Sequence, residues 1–335
     1  RGDVHYWEVW HGNKPFSEYR KYFFRYASEF GFQSFPSVKT LETVTDDPKE
    51  LNPFSYVMEK HQRNYGGNGK IAKYMQAAYR YPENFSDFVY ASQLLQADGI
   101  RYGVEHYRRN RGRCMGAIYW QLNDCWPVIS WSSIDYYGRW KALHYYAKRF
   151  FAPVMLSCEE QSWMTVEADM NRQHFEFEKS IRLNVTNETL DAHRVLVKWA
   201  VRKTDATILR EEEQWLEVPV LSAVWMDKVE LPQIDCFNEY VSYEAWENDQ
   251  IISQGTVIFS YPKYFRYLNP GLTVRVDGDE IVVKAEAYAK SVEIRNENDD
   301  LILEDNYFDM NAGEYRVKIL DGKPDGLKVR SVYDI

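Results

Sequence analysis

Three short stretches in the first half of the chain contain side chains that could do chemistry. In the first, Glu29 is a single carboxylate in an aromatic, otherwise uncharged run that ends at Pro36. Buried glutamate is rare unless it is paired, so Glu29 is either a partnered structural acid or a reactive carboxylate. A position at the carboxyl end of a barrel strand would favour the reactive interpretation, because the active sites of such barrels lie at that end.

The second stretch places Trp120, Asn123 and Asp124 directly after a predicted strand. An indole face beside amide and carboxylate groups suits a sugar, which has apolar C–H faces and a rim of hydroxyl groups. The alternative is a purely structural role, in which this stretch forms a packed barrel floor with capped loops. The third stretch is dense in aromatic residues and contains Trp10 and His11; a single histidine of this kind is more often structural.

The elements that must position these side chains are a few strands and helices. The capping region 84–86 begins a long helix that ends near Gly112, and residues 114–122 are typical of a strand buried on both faces. Residues 140–151 predict another helix. This order is an α/β pattern, but a complete (β/α)8 barrel needs about 250 residues, so the first half could supply only its last third.

Five arginines crowd the carboxyl end of the long predicted helix. They are Arg101, Arg108, Arg109, Arg111 and Arg113. Such a cluster could bind phosphate, but cations at a helix carboxyl end also complement the helix dipole. We therefore expect a solvated, basic helix end.

The second half of the chain has a different composition. Residues 1–152 carry a net charge of +6, and residues 153–335 carry −15. Short alternating segments separated by turns predict two immunoglobulin-like β-sandwiches, over 153–260 and 261–335. Five tryptophans there could be sugar platforms, but packing in the sandwich cores and between domains is the favoured interpretation. They are Trp163, Trp199, Trp215, Trp225 and Trp246.

Composition and charge argue against several classes of function. The net charge of −9 is unsuited to nucleic acid, and the absence of an apolar run of about 18 residues argues against a membrane span. Four scattered cysteines form no zinc or disulfide framework and fit a cytoplasmic location, with secreted or lysosomal locations as alternatives. Because Arg1 is not an initiator residue, we expect a piece of a longer chain.

Four motifs give the chain a resemblance to a known family. The runs YWEVWHG, SEFGFQSFPS, YWQLNDCWPVISWSSIDYYGRW and DNYFDMNAGE occur in this order. They resemble segments of the β-mannosidases of glycoside hydrolase family 2. The resemblance implies the C-terminal part of a (β/α)8 catalytic barrel, within residues 1–152, followed by two immunoglobulin-like β-sandwiches.

The same resemblance implies roles for six residues. Glu29 matches the catalytic nucleophile at the end of the seventh barrel strand, and Trp120 matches the active-site tryptophan at the end of the eighth. The four remaining matches are Trp10 and His11, in the loop after the sixth strand, and Asn123 and Asp124, at the rim of the pocket.

The implied reaction is retaining, exo-acting hydrolysis of terminal β-linked mannose without a cofactor. Glu29 would form a covalent glycosyl intermediate, and a second carboxylate would act as acid and base. In the family that carboxylate follows an asparagine near the fourth strand. The Asn–Glu pairs of this chain end at Glu188, Glu239 and Glu297, all in the predicted sandwiches. We therefore expect the acid/base to lie outside this chain and the fragment alone to be inactive.

Other interpretations and partners stay open at this point. The chain could come from another family 2 retaining glycosidase, of the β-galactosidase or β-glucuronidase type, from a transglycosidase, or from a non-catalytic carbohydrate-binding protein. The expected partners are a β-mannoside or oligosaccharide substrate and the missing N-terminal portion of the enzyme. Nucleic acid and membranes are not expected. An open barrel edge would also favour self-association.

Overall fold

The computed structural model describes residues 2–166 and 176–335. Its first part combines a small sheet with helices. The strands are β1 (Val4–His5), β2 (Ala27–Phe30) and β3 (Ala117–Tyr119), and the helices are α1 (Val38–Leu41), α2 (Tyr56–Lys60), α3 (Gly67–Ala78), α4 (Phe85–Arg109) and α5 (Ala142–Phe150).

The three strands form a parallel sheet in the order β1-β2-β3. Parallel neighbours need a long crossover, and helices α1 to α4 supply it between β2 and β3. The side chain of Asn84 caps α4 by accepting a hydrogen bond of 3.0 Å from the amide of Asp87. Helix α4 packs closely on the sheet because Gly103 has no side chain: a Cβ there would lie 2.8 Å from the ring of Phe30.

The predicted strand over 114–122 is shorter and less buried than expected. Only Ala117–Tyr119 forms β3, and Ile118 is 52% exposed. The expectation of burial on both faces is wrong because β3 is an edge strand in the described sheet, so one side of it has no neighbour there. The helix predicted over 140–151 is confirmed as α5.

The predicted solvated end of α4 is also wrong for two of its arginines. Arg108 and Arg109 are 8% and 1% exposed. Arg108 donates to the backbone carbonyl of Phe150 at 2.6 Å, and Arg109 donates to the carbonyl of Cys158 at 3.4 Å. The end of the helix is covered by neighbouring segments, and the two guanidinium groups donate hydrogen bonds to backbone carbonyls of those segments.

The next part is a sandwich of two antiparallel sheets. Its strands are β4 (Val154–Gln161), β5 (Ser180–Asn187), β6 (His193–Lys203), β7 (Ile208–Val218), β8 (Ser222–Trp225), β9 (Val229–Glu230), β10 (Glu239–Glu247) and β11 (Gln250–Ile258). One sheet has the order β4-β5-β8, with β9 beside β5, and the other has the order β11-β10-β6-β7. Alternation along β6 turns Val195, Val197 and Trp199 into the core.

The last part is a second, smaller antiparallel sandwich. Its strands are β12 (Thr273–Asp277), β13 (Glu280–Ala285), β14 (Ala289–Arg295), β15 (Ile302–Leu303), β16 (Phe308–Met310), β17 (Gly313–Asp321) and β18 (Lys328–Arg330). The sheets are ordered β12-β13-β17-β15 and β16-β14-β18. Its core is continuous with that of the α/β part, because Tyr307 stacks on Tyr90 of α4.

The tryptophans of the sandwiches do not share one role. Trp199 is a core residue, as predicted, but Trp215 is 53% exposed, so the packing interpretation is wrong for that residue. Trp215 points outward because its position on β7 alternates with the buried Leu216 and Val218.

Among residues 2–166 and 176–335, no helix is long and apolar enough to cross a membrane, and no group of three or more histidine, cysteine or acidic side chains could hold a metal ion.

Candidate active site

The carboxyl ends of β1, β2 and β3 meet at one edge of the parallel sheet and bring the three chemistry-bearing stretches together. Glu29 lies in the central strand, its backbone in register with His5 of β1. Trp120 follows β3 directly, and its amide donates to the carbonyl of Phe30 at 2.8 Å. The carboxylate and the exposed indole therefore come from neighbouring strands.

The carboxylate of Glu29 is held by the loop that follows β1. The indole Nε1 of Trp7 donates to Oε1 of Glu29 at 2.9 Å. Nδ1 of His5 lies 3.8 Å from the same oxygen, a contact that becomes an ion pair only when the imidazole is protonated. The side chain of Glu29 is 26% exposed, so the carboxylate is oriented by protein groups and still reachable from solvent.

Gly31 allows the aromatic side of the site to close around the end of β2. A Cβ at this position would lie 2.5 Å from the carbonyl oxygen of Trp120, 2.9 Å from the ring of Trp7 and 3.0 Å from the ring of Trp131. Three tryptophans thus converge two residues after Glu29. Trp120 is 45% exposed, and the peptide bond from Trp120 to Gln121 is cis.

Trp10 and His11 occupy different environments although they are adjacent. Trp10 is fully buried and packs edge-on against Phe32, with the Lys70 ammonium 4.9 Å from its ring. In this arrangement it forms the wall behind the site. His11 is exposed and its ring lies 5.2 Å from that of Trp7; partial burial and the Lys70 charge lower the pKa of His11.

Asn123 and Asp124 are also adjacent residues of which one is exposed and the other is buried. Asn123 is exposed, whereas Asp124 is 8% exposed and accepts hydrogen bonds from the hydroxyls of Ser130 at 2.7 Å and Ser132 at 2.5 Å. Burial raises the pKa of Asp124, although Lys141 and the two serines act in the opposite direction. Asp124 therefore organises the loop after β3, and Asn123 presents its amide at the surface.

Several residues around the site were not identified from the sequence. Trp7 holds Glu29, and it lies in the same motif as Trp10, so the aromatic density of that motif was the available signal. Lys141 is buried under the loop and donates to the carbonyl of Ser34 at 3.2 Å. Burial lowers the pKa of Lys141 to about 8, against the attraction of Asp124 and Asp135. No local pattern marks this lysine.

The three Asn–Glu pairs do not lie on this edge of the sheet. Glu188 follows β5 and pairs with Arg111, Glu239 begins β10, and Glu297 follows β14. All three lie in the two sandwiches.

Comparison with known proteins covers nearly the whole chain. The chain is 29% identical over 361 aligned residues to β-mannosidase B of Thermothelomyces thermophilus, which covers 99% of this chain and 41% of that protein. It is 36% identical to a goat (Capra hircus) β-mannosidase over 46% of this chain and 19% of that protein. The β-D-mannosidase structure from Dictyoglomus thermophilum matches with a TM-score of 0.84 and 26% identity, over 98% of this chain and 40% of that one.

The chain is related to the β-mannosidases of glycoside hydrolase family 2. Family models agree for the sandwiches: residues 179–264 match a Mannosidase Ig/CBM-like domain, and residues 267–335 match an Ig-fold domain. An exo-chitosanase structure from Amycolatopsis orientalis, 16% identical with a TM-score of 0.66 over 98% of this chain and 45% of that one, shares the fold. The resemblance predicted from the motifs is thus confirmed, and the chain spans about two fifths of the length of the β-mannosidases that match it throughout.

Proposed function

We propose that this chain is the C-terminal part of a retaining, exo-acting β-mannosidase in which Glu29 is the nucleophile. The observation that carries the proposal is the carboxylate of Glu29 at the carboxyl end of a parallel strand, oriented by Trp7 and adjacent to the strand that presents Trp120. One oxygen is held by the indole N–H, which leaves the other to attack an anomeric carbon. The exposed indole of Trp120 offers an apolar face to the sugar ring.

The barrel is part of the proposal. Residues 1–152 would form its last strands and helices, with 153–260 and 261–335 as the trailing domains. The parallel order β1-β2-β3 with a helical crossover supports this assignment, since barrels are built from such units. Glu29, Trp7 and Trp120 lie at the carboxyl edge of this sheet, which is where barrel enzymes place their active sites.

In the proposed reaction Glu29 attacks the anomeric carbon and the leaving oxygen takes a proton from a second carboxylate. That carboxylate would lie about 5–5.5 Å from Glu29 in a retaining enzyme. Since the Asn–Glu pairs of this chain lie in the sandwiches, we assign the acid/base to the N-terminal portion of the longer protein. General acid catalysis contributes about 10²–10⁴-fold, and the strands that would hold most of the glycone pocket are assigned to the same N-terminal portion, so the isolated chain would lack hydrolytic activity.

The N-terminal portion would also cover the exposed side of the sheet. Met115 and Ile118 are 58% and 52% exposed beside the edge strand β3. Edge strands with apolar side chains pair readily with other strands. The isolated chain would therefore bind that portion or self-associate.

We propose a cytoplasmic location, which the scattered free thiols favour.

Covalent labelling tests the nucleophile. A 2-fluoro-mannosyl fluoride is incubated with the longer protein and with this chain, and peptides are analysed by mass spectrometry. We expect an adduct on the peptide that contains Glu29 in the longer protein only, and none in its Glu29→Gln variant. Turnover of an aryl β-mannoside by the longer protein without labelling of Glu29 would overturn the assignment. Faster turnover of the aryl β-galactoside or β-glucuronide would overturn the sugar specificity.

A further inference from the structure

An exposed aromatic row crosses the outer face of the first sandwich. Strand pairing aligns Ile251, Trp246, Leu196 and Trp215 across the four strands β11-β10-β6-β7. Trp215 and Ile251 are 53% and 43% exposed, and the two residues between them are partly exposed. We call these four residues, two tryptophans and two aliphatic side chains, the aromatic row. Neither the proposed reaction nor the sandwich core uses them.

Both indoles of the row are held in place by neighbours on the same face. Nε1 of Trp246 donates to the carboxylate of Glu244 at 2.8 Å, and the Arg194 guanidinium lies 4.5 Å from the ring centre of Trp215. The two tryptophans are two strand spacings apart, or about 10 Å. This separation is close to the repeat of two sugar units in an extended β-linked chain. Because Arg194 lies over one face of Trp215 and Lys198 lies 5.4 Å from the ring centre of Trp246, alternate sugar rings would stack on the indole faces that these cations leave open.

Two ion pairs flank the aromatic row. Nζ of Lys198 lies 3.5 Å from the carboxylate of Glu213, and Nε of Arg194 lies 3.4 Å from that of Glu217. Glu244, which accepts from Trp246 on the same face, adds a carboxylate to these two pairs, so the surface beside the row is weakly acidic. A neutral ligand is therefore better matched to it than a polyanion, which the excess of carboxylates would repel.

A groove with both polar and apolar lining continues from the aromatic row towards the second sandwich. It measures about 420 Å³, a size typical of ligand sites. Glu244 and Gln254 lie on one side, and Asn311, Glu314 and Tyr315 lie on the other. Carboxylate, amide and hydroxyl groups can bond to sugar hydroxyls, while the row supplies the apolar contact that the sugar C–H faces need.

We propose that the aromatic row and this groove form a second, non-catalytic site for a neutral, extended oligosaccharide. The ligand class follows from the surface itself. The more specific assignment, a β-linked chain of mannose units, rests on the proposed function. The site would hold the polysaccharide while its end is cleaved elsewhere. The match of residues 179–264 to a family described as Mannosidase Ig/CBM-like is consistent with a carbohydrate-binding role for this domain.

Titration calorimetry with linear β-1,4-mannohexaose tests the proposal. All variants carry Glu29→Gln, so that the sugar is not consumed, and Trp120→Ala, so that the proposed catalytic platform does not contribute. We expect mannohexaose to bind this background, and Trp215→Ala or Trp246→Ala to weaken binding by about tenfold. Trp215→Tyr should retain most of the affinity, and Tyr65→Ala, which removes an exposed aromatic residue elsewhere, should retain all of it.

Three outcomes would overturn the site. The first is no binding of mannohexaose by the background protein, and the second is an affinity in the Trp215→Ala and Trp246→Ala variants equal to that of the background protein. The third is self-association that depends on Trp215 without sugar binding, which would make the face a protein interface. Binding of cellohexaose with equal affinity would overturn only the mannose assignment. Covalent labelling of Glu29 reports separately on the proposed reaction, so the two proposals can fail independently.

Discussion

At the scale of single residues, the orientation of Glu29 depends on one donor. Trp7 gives its indole N–H to Oε1 of Glu29, and no other side-chain hydrogen bond to this carboxylate is present among the described residues. The Trp7→Phe substitution keeps the aromatic packing and removes the donor. A hydrogen bond to a charged group contributes about 1.5–3 kcal/mol. We therefore expect the rate of labelling by 2-fluoro-mannosyl fluoride to fall about 10- to 100-fold in the longer protein.

The Trp7→Phe variant needs a readout that separates positioning from folding. Trp225→Phe is the matched control, because Trp225 lies in β8 and contacts Arg182 of the sandwich. The control should label at the rate of the unsubstituted protein, and both variants should be fully folded at the labelling temperature, as judged by thermal unfolding. An unchanged labelling rate in Trp7→Phe would remove Trp7 from the mechanism.

At the scale of elements, the close approach of β2 and β3 at the site depends on Gly31. A methyl group there would meet the Trp120 carbonyl, which is backbone and cannot rotate away. Overpacking of this kind costs about 1–3 kcal/mol. We expect Gly31→Ala to lower the free energy of unfolding by that amount, measured by urea denaturation, and to displace Trp120 from Glu29.

The matched control is Gly69→Ala in α3. A Cβ at Gly69 would meet no atom within 4 Å, and alanine is the better helix former. This substitution should stabilise the protein by about 0.5–1 kcal/mol. If Gly31→Ala were equally harmless, the contact between Trp120 and the end of β2 would be looser than the structure indicates.

Elements whose evidence is local could be predicted from the sequence. Residues close in sequence determine three of the predicted features, and all three occur in the structure: the cap at Asn84, the helix α5 and the alternating strands of both sandwiches. Burial could not be predicted, because it depends on what packs against an element. Thus Arg109 is buried, and Trp215 is exposed. The sequence marked Glu29 as a candidate, but the turn that brings Trp7 to it is a tertiary feature.

At the scale of the whole molecule, a buried charge cluster joins the α/β part to the first sandwich. Glu160 of β4 pairs with Arg20 at 2.7 Å and also accepts from the hydroxyl of Tyr102 on α4. The side chains of Glu160 and Arg20 are 3% and 11% exposed. Burial alone would raise the pKa of Glu160, but Arg20 and Tyr102 outweigh it and hold that pKa below its usual value.

The Glu160→Gln substitution would leave the Arg20 guanidinium buried without its counter-charge. Removing one partner of a buried pair costs about 3–5 kcal/mol, and we expect a loss of stability of that order at pH 7. The exposed pair of Arg210 and Glu212 provides the control: Glu212→Gln should cost at most about 1 kcal/mol. Comparable losses in the two variants would show that the cluster does not couple the two parts.

The pH dependence gives an independent check on the same cluster. Because the pKa of Glu160 is lower in the folded than in the unfolded protein, its stabilising effect is complete above about pH 4.3, the usual value for glutamate. It is lost as the pH falls through the folded-state value. The stability difference between the unsubstituted protein and Glu160→Gln should therefore be constant at neutral pH and shrink on acidification. A difference that stayed constant down to pH 3 would mean that the loss comes from packing and not from the carboxylate charge.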